Sequence, residues 1–272
     1  MRIRLTLILL ACLSLPALAL ADDDAITAAN RQVFAGMGGQ RLQYAEEVYS
    51  TDIDYEFGKQ AAATAGASWQ GNLYGLSSVL LEGQYWFARG KTKYVGFLQD
   101  LQNGSVTPWV SSTNDETADW MMRFGKGFEE GGGIGMITPY FAIGEHRWVR
   151  DSSTTDPYGY LEVYKHKFAE VGAIAQARMA PRLVAGLELN AGSSFGAEVG
   201  VPSQGLSLAL RSERILGLAV NLDFAVAKHL HAKIEYRDTS FRYGKSHTVN
   251  LMYEPDSATI QSTALLTLGY AF

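Results

Sequence analysis

The stretch Ala264-Leu265-Leu266-Thr267-Leu268-Gly269-Tyr270-Ala271-Phe272 decides how the rest of the chain is interpreted. Every second residue, from Ala264 to Phe272, is apolar, and the residues between them are smaller or less apolar apart from Leu265. Successive side chains of a β-strand point to opposite faces. The alternation therefore predicts a strand with one continuous apolar face.

The same alternation recurs along the chain and predicts ten strands. Their expected ranges are 31–45, 62–73, 78–90, 117–129, 135–149, 160–177, 183–197, 212–226, 230–243 and 259–272. Five connections are long and polar, at 46–61, 91–116, 150–159, 198–211 and 244–258, and four are short, at 74–77, 130–134, 178–182 and 227–229. Short turns that alternate with long loops are typical of transmembrane barrels. We therefore expect an all-β fold, an antiparallel up-and-down barrel of about ten strands.

The two faces of the predicted strands differ as a membrane barrel requires. In 212–226, Leu216, Leu218 and Val220 are expected to face lipid, and Asn221 and Asp223 the lumen. A soluble barrel or sandwich would also alternate, with its apolar face as the core. Two irregularities are expected, namely a bulge at Gly38-Gly39 and weak pairing around Pro139, because proline cannot donate a backbone hydrogen bond.

The N-terminal residues read as a secretory signal peptide. Arg2 and Arg4 precede an apolar run, and Ala19-Leu20-Ala21 forms a small-residue cleavage site. We therefore divide the chain into a signal peptide at 1–21 and one barrel domain at 22–272. The alternative is a lipoprotein signal ending at Cys12, the only cysteine. After Ala21 no apolar run approaches the roughly 20 residues of a membrane helix, so a membrane protein of this sequence must be a closed barrel.

An aromatic residue at the end of an alternating strand resembles the assembly signal of bacterial outer-membrane proteins, here carried by Leu266, Leu268, Tyr270 and Phe272. In size and architecture the chain resembles small Gram-negative outer-membrane β-barrels of the OmpA/OmpX and omptin range. The resemblance implies a location in the outer membrane after cleavage near Ala21. It also implies contact with the barrel-assembly machinery, outer-membrane lipid and lipopolysaccharide.

Both signs of charge are expected in the lumen. The predicted lumen-facing charged residues are Glu82, Asp119, Arg123, Glu170, Arg178, Glu188, Arg211, Glu213, Asp223, Lys233, Glu235 and Arg237. We expect them to pair into a plug, because about eight strands are just filled by side chains and ten leave little more room. A polar pore is the alternative. For Arg237, Lys233 and Glu235 we expect partners on the neighbouring strand, at Asp223 and Glu213. The long segment 91–116 could fold into the lumen or project outward.

Several short motifs match catalytic or metal-binding patterns, but each lacks a feature that the pattern requires. Gly192-Ser193-Ser194-Phe195-Gly196 matches a nucleophile elbow, but no helix follows it. His229 and His231 lack a third ligand at zinc-site spacing, and the glycine-rich stretch 131–136 reads as a tight turn rather than a phosphate loop. Omptin proteases use acidic pairs and a histidine near the outer rim, so the resemblance makes a site of Asp52 and Asp54 with His146 or His247 geometrically conceivable. The alternative for Asp52 and Asp54 is an acidic loop that faces solvent or divalent cations.

The sequence therefore predicts a structural, ligand-binding or narrow-channel barrel with a largely plugged lumen. The alternatives are an outer-membrane hydrolase with a rim site and an adhesion or interaction barrel that acts through its loops. We expect no catalytic residues, metal or cofactor, and a small solute is a further candidate partner. Without residues 1–21 the chain has 21 basic and 28 acidic residues, a formal charge of -7, which argues against nucleic acid.

Overall fold

The computed structural model describes residues 25–48, 51–99, 105–249 and 252–272. The expected signal peptide at 1–21 and Cys12 lie outside the described residues. The first described element is a five-residue helix, α1 (Ala25–Ala29). The strands are β1 (Gln32–Val48), β2 (Thr51–Leu73), β3 (Leu76–Gln99), β4 (Val106–Lys126), β5 (Phe128–Glu130), β6 (Gly135–Asp151), β7 (Leu161–Ala180), β8 (Leu183–Val201), β9 (Leu206–Ala209), β10 (Arg214–Ala225), β11 (Leu230–Tyr243) and β12 (Asp256–Ala271).

Ten of these strands are long, and each pairs antiparallel with the next long strand along the chain. β12 returns to β1, with partners from Gln32↔Ala271 to Glu47↔Asp256, and this pairing closes the sheet. The short strands β5 and β9 add to β6 and β8. The prediction of a closed, antiparallel, ten-stranded barrel is confirmed.

The short connections lie together at one end of the barrel, which we name the turn end. Tyr74-Gly75 joins β2 to β3, and residues 131–134 join β5 to β6. Gly131, Gly132 and Gly133 have φ values of 62°, 67° and 85°, a left-handed backbone that glycine adopts without strain. The glycine-rich stretch is therefore the tight turn that the sequence predicts.

The opposite end, the loop end, differs from the prediction. Loops were expected at 46–61 and 91–116, and this is wrong for most of both segments, because β2 begins at Thr51, β3 continues to Gln99 and β4 begins at Val106. Segment 91–116 thus continues the barrel wall on both sides of residues 100–104, which lie outside the described residues. The outward positions in these segments include Lys59, Lys91 and Lys93, so the apolar alternation is lost while the strand continues.

An apolar belt surrounds the barrel next to the turn end. On β10 the outward-facing Leu216, Leu218 and Val220 are 38–47% exposed, and β12 presents its apolar face in the same way. Charged residues at outward positions end the belt on eight of the ten long strands; this charged ring consists of Arg41, Lys59, Arg89, Glu116, Glu145, Lys167, Arg214 and Asp238. None of the helices in the described part of the chain is long and apolar enough to cross a bilayer.

The barrel wall continues beyond the charged ring. This part, which we name the extension, comprises the described residues within 42–58, 90–115, 146–166, 194–213 and 239–261. Inward-facing residues of the extension are buried, as Tyr44, Trp148 and Tyr164 show. The extension is therefore a packed barrel whose outer face carries lysines as well as apolar residues.

The two expected irregularities have different outcomes. Pro139 lies in β6 and pairs with Ala173 of β7. On its other side β6 pairs with β4 up to Tyr140 and with β5 from Ile137, so Pro139 lies in the gap between these two pairings. Its missing N–H therefore removes no hydrogen bond from a continuous ladder. The expected bulge at Gly38-Gly39 is wrong, since the pairing of β1 with β12 and β2 runs through both residues without a shift. A Cβ at Gly38 would lie 1.9 Å from the carbonyl oxygen of Ala264, so close strand contact requires this glycine.

The belt predicts a position-dependent cost for a charge on the outer face. Val220→Arg should destabilise the folded barrel in lipid vesicles by roughly 2–4 kcal/mol, because Val220 lies in the middle of the apolar run of β10. Val110→Arg is the matched control, since Val110 is equally aliphatic and 59% exposed but lies on the extension. Urea unfolding of both variants in vesicles measures the difference. Equal stability of the two variants would contradict the position of the belt.

Candidate functional site

The interior of the barrel is filled in successive layers, beginning with α1 at the turn end. Ile26 is completely buried and packs against Met136 of β6 and Val184 of β8. Asn30 follows the helix, and its amide nitrogen donates to Oε1 of Gln70 at 2.6 Å and to Oε1 of Gln176 at 2.8 Å. The start of the described chain therefore caps the turn end of the lumen.

The next layer is an ionic network formed by Glu82, Arg123, Glu188, Lys233, Glu235 and Arg237. Glu188 is its centre. One oxygen of Glu188 lies 2.7 Å from Nη2 of Arg123 and accepts a bond from the Tyr140 hydroxyl at 2.6 Å, and the other lies 3.0 Å from Nη2 of Arg237.

Two further pairs complete the ionic network. Glu82 contacts Arg123 at 3.0 Å, and Glu235 contacts Arg237 at 3.3 Å and Lys233 at 3.6 Å. Three carboxylates thus face three cations. A buried charge needs a partner, and the matched count gives every group of the network a partner of opposite sign.

The predicted partners of Arg237 are wrong. Its guanidinium contacts Glu235 on its own strand and Glu188 of β8, which lies on the other side of Ala219 of β10 at the same level. Asp223 instead lies 2.5 Å from Nδ1 of His231, and Glu213 lies at the loop end before β10, where its backbone bonds Ser194. Because Ala219 is small, the side chains of Arg237 and Glu188 meet over it, so a pair can form between strands that are not direct neighbours.

The remaining predicted lumen residues occupy different places. Glu170 is buried and accepts a bond from Nδ2 of Asn190 at 2.6 Å, and Asp119 pairs with His146. Arg178 and Arg211 do not lie in the filled interior. Arg178 is exposed at the turn end of β7, and Arg211, with a side chain 69% exposed, pairs with Asp256 at the loop end.

A chamber of about 80 Å³ lies between the ionic network and the extension. Trp86, Phe168 and Phe241 form part of its wall. Three polar atoms of chamber-lining residues have no hydrogen-bond partner among the described residues: Nε2 of His146, Oδ1 of Asn190 and Nε2 of Gln261. A water molecule needs roughly 10–15 Å³ on this scale, so the chamber has room for several.

An aromatic layer closes the chamber toward the loop end; it consists of His146, Trp148, Tyr164, His166, Phe241 and Tyr243. Nδ1 of His146 lies 2.5 Å from Oδ1 of Asp119, and the ring of His146 is 4.9 Å from those of His166 and Phe241. Trp148 and Tyr164 stack at 4.9 Å. Burial lowers the pKa of His166 well below its usual value, and the neighbouring His146 adds a smaller effect in the same direction. The ring of His166 is therefore neutral at pH 7.

The last layer is a mouth cluster of five buried carboxyl groups around one arginine, and sequence reasoning missed it. Its members are Glu46, Glu56, Asp115, Glu162, Glu254 and Arg150. Arg150 binds Glu56 through Nε and Glu162 through Nη1 at 2.6 Å. Thr92 bridges Glu56 and Asp115. Unlike the ionic network, this layer has far more acids than cations.

Glu254 lies where the segment after β11 crosses the mouth. Its carboxylate accepts hydroxyl bonds from Tyr164 at 2.7 Å and from Tyr44 at 3.1 Å, and Tyr44 also donates to Glu46 at 3.0 Å. Ser246 holds the same segment through the backbone N–H of Glu254. The carboxyl group of Glu254 is thus the anchor that fixes the segment over the aromatic layer.

The excess of acids changes their titration. Burial and the neighbouring Glu162 raise the pKa of Glu254 to about 7. Burial and Glu56 raise the pKa of Asp115 to about 8, and burial and Glu254 raise that of Glu46 well above its usual value. The mouth cluster therefore holds protons near neutral pH that ordinary carboxyl groups have lost.

The rim site suggested by the sequence does not form among the described side chains. Oδ1 of Asp54 accepts a bond from the backbone N–H of Phe97, the side chain of Asp52 lies outside the described residues, and His247 is exposed. His146 does pair with an aspartate, Asp119, but inside the barrel. No three His, Cys, Asp or Glu side chains in the described ranges are grouped as a metal site requires. Gly192–Gly196 continues β8, so the elbow is not present there.

The ionic network predicts a large effect of removing one cation. Arg237→Ala leaves Glu188 with one guanidinium instead of two, so we expect the barrel to lose about 3–5 kcal/mol of stability. Arg211→Ala is the matched control, because its pair with Asp256 is exposed and should contribute about 0–1 kcal/mol. Urea unfolding in lipid vesicles measures both. A small loss in Arg237→Ala would mean that water, rather than paired side chains, surrounds Glu188.

The mouth cluster predicts a loss of stability as the pH rises. The pKa of Glu254 is about 7 in the folded state and near 4.5 when solvated, so protonation favours the folded mouth. The stabilisation is fully present below about pH 4.5 and falls until about pH 7, by on the order of 2–3 kcal/mol. Thermal unfolding between pH 4.5 and pH 8 measures this slope.

Glu254→Gln mimics the protonated side chain and should reduce the slope, with the remainder due to Asp115 and Glu46. Glu198→Gln, at an exposed position of β8, should keep the slope of the parent. A parent stability that is constant over this range would rule out the proposed titration.

No family model matches the chain, and no curated protein matches it. Among solved structures, the outer membrane protease OmpT from Escherichia coli is similar over 89% of this chain and 97% of its own, with 11% identity and a TM-score of 0.52. The translocator domain of the autotransporter NalP from Neisseria meningitidis has 12% identity over 89% of this chain and 88% of its own, with a TM-score of 0.38. OprG from Pseudomonas aeruginosa has 11% identity over 89% and 97%, with a TM-score of 0.35.

Identities this low bear on the fold alone, and of these three structures OmpT is the one with a TM-score above 0.5. The chain has the fold of an outer-membrane β-barrel with ten strands.

Proposed function

We propose that this chain is an outer-membrane protein of a Gram-negative bacterium that stays closed to solutes and acts through its extension. The apolar belt, bounded by the charged ring, supports the location. The fold, shared with the outer membrane protease OmpT, supports it as well. In this orientation the turn end faces the periplasm and the extension faces the outside.

The C-terminal residues support the proposed route to the membrane. Leu266, Leu268, Tyr270 and Phe272 all point outward and are 53–59% exposed. A periodic apolar edge of this kind is available to the barrel-assembly machinery before insertion. We also propose that a signal peptide at 1–21 directs export and is removed near Ala21.

The packed interior is the main observation that supports a closed barrel. α1 covers the periplasmic mouth, the ionic network crosses the middle, and the aromatic layer and mouth cluster fill the extension. Inward-facing residues at each level, such as Ile26, Arg123, Trp148 and Glu56, are at most 3% exposed. A water-filled passage would leave such side chains accessible, so this interior supports a closed barrel over a narrow channel.

The outer face of the extension supports action at the surface. Tyr55 and Val110 face outward on β2 and β4, on either side of Val95 of β3, and both are more than 40% exposed. Phe97 and Pro108 lie beside each other one row farther out and are also exposed. Exposed apolar groups that lie together mark interaction surfaces. This patch fits the binding of a macromolecular partner outside the cell better than solute transport.

Conductance tests the closed state. The refolded full barrel, inserted into planar bilayers in KCl, should show negligible conductance because no continuous water path crosses the interior. Heat-modifiable migration of the same sample confirms that the barrel is folded, and a porin of known conductance added afterwards confirms that the bilayer reports channels. Large, stable steps from the parent protein would refute the proposal.

A further inference from the structure

Three cations lie side by side on the outer surface of the barrel. Arg41 of β1 is directly opposite Lys59 of β2, and Lys59 is directly opposite Lys91 of β3. All three are exposed at outward positions. Arg89 and Lys93 flank Lys91 on the same face of β3. We name Arg41, Lys59 and Lys91 the basic row.

The basic row is unfavourable by itself. Directly opposed residues of neighbouring strands have Cβ atoms roughly 4.5–5.5 Å apart, and like charges at this spacing destabilise a sheet. None of the three cations makes an ion pair within 4.0 Å with a described residue. Asp238 of β11 is separated from Arg41 by Ser262 of β12 and is engaged by the hydroxyl of Tyr236.

In another part of the charged ring, each cation has a carboxylate on a neighbouring strand. On β6 and β7, Lys167 lies directly opposite Glu145. Next to them, Arg147 lies 3.6 Å from Glu116 of β4. Each of these cations has a carboxylate at hand. The basic row therefore differs from its surroundings in lacking an internal counter-charge, which points to an external one.

The depth of the basic row identifies the counter-charge. Two outward positions toward the turn end, the same three strands present Met37, Ala63 and Phe87, which belong to the apolar belt. The basic row thus lies at the edge of the belt, where lipid headgroups meet water. The anion carried by headgroups is phosphate, and arginine and lysine are the side chains that bind it.

We propose that the basic row binds the phosphate groups of anionic lipid headgroups in the outer leaflet. Bound phosphate replaces the repulsion between the cations with attraction, so the lipid stabilises the wall formed by β1, β2 and β3. The inference rests on the proposed location of the barrel in the outer membrane. It is independent of the closed lumen, so a conducting barrel would leave it unaffected.

The test compares barrels in vesicles of two compositions. The parent protein is refolded into dioleoylphosphatidylcholine alone and into the same lipid with one third dioleoylphosphatidylglycerol. The thermal unfolding midpoint of the parent should rise by about 2–8 °C with the anionic lipid, because a ligand that binds the folded state raises the midpoint. High salt should reduce the rise by screening the charges.

A double variant, Lys59→Gln with Lys91→Gln, should lose at least half of this rise. In phosphatidylcholine alone it should unfold at the same temperature as the parent or above it, since the substitutions also remove the repulsion. Lys167→Gln is the matched control, which removes a balanced cation and should keep the full rise. If the double variant does not refold, Lys59→Gln alone is used.

Two results would overturn the inference. One is a double variant that keeps the full rise of the parent. The other is an equal rise of the parent in detergent micelles on addition of inorganic phosphate, which would assign the basic row to a soluble anion instead of a lipid.

Discussion

Pairing of β1 with β12 is the constraint on which the rest of the structure depends. In a bilayer no water is present to bond a free strand edge, so every backbone N–H and C=O of a spanning strand must find a partner in the sheet. Sixteen residues of β1 are matched with β12, from Gln32 to Glu47. Closure then fixes which side chains point inward, and with ten strands these must fill or line a lumen of modest width.

The ionic network and the mouth cluster balance their buried charges in different ways. The ionic network lies at the depth of the belt and is neutral as a whole, which suits a site that cannot exchange ions with water. The mouth cluster lies beyond the belt and balances most of its charge with protons. The second arrangement couples the packing of the mouth to the proton concentration outside. Charge balance therefore changes along the barrel axis with the distance from lipid.

The strand count and the lipid face could be predicted because lipid forces every outward residue in a belt to be apolar, as in Leu216, Leu218 and Val220. The extension could not, because water allows polar residues such as Lys59 at outward positions and the period of two disappears. Glu46 and Glu56 lie on those segments, and only their even spacing with buried neighbours such as Tyr44 could have revealed them. The pair of Arg237 with Glu188 could not be predicted, because it depends on the register of three strands that sets Ala219 opposite both residues.

The position of α1 has a consequence for how firmly the periplasmic mouth is closed. The helix is joined to β1 through only Asn30 and Arg31, so a displaced helix remains within a few ångströms of its site. Its effective concentration there is set by the tether and exceeds that of any plug supplied as a separate protein. Any displacement of the helix is thus a unimolecular step that does not depend on protein abundance. The helix directly precedes β1, the strand that closes the wall with β12, so the assembly of the barrel also brings the helix to the mouth that it covers.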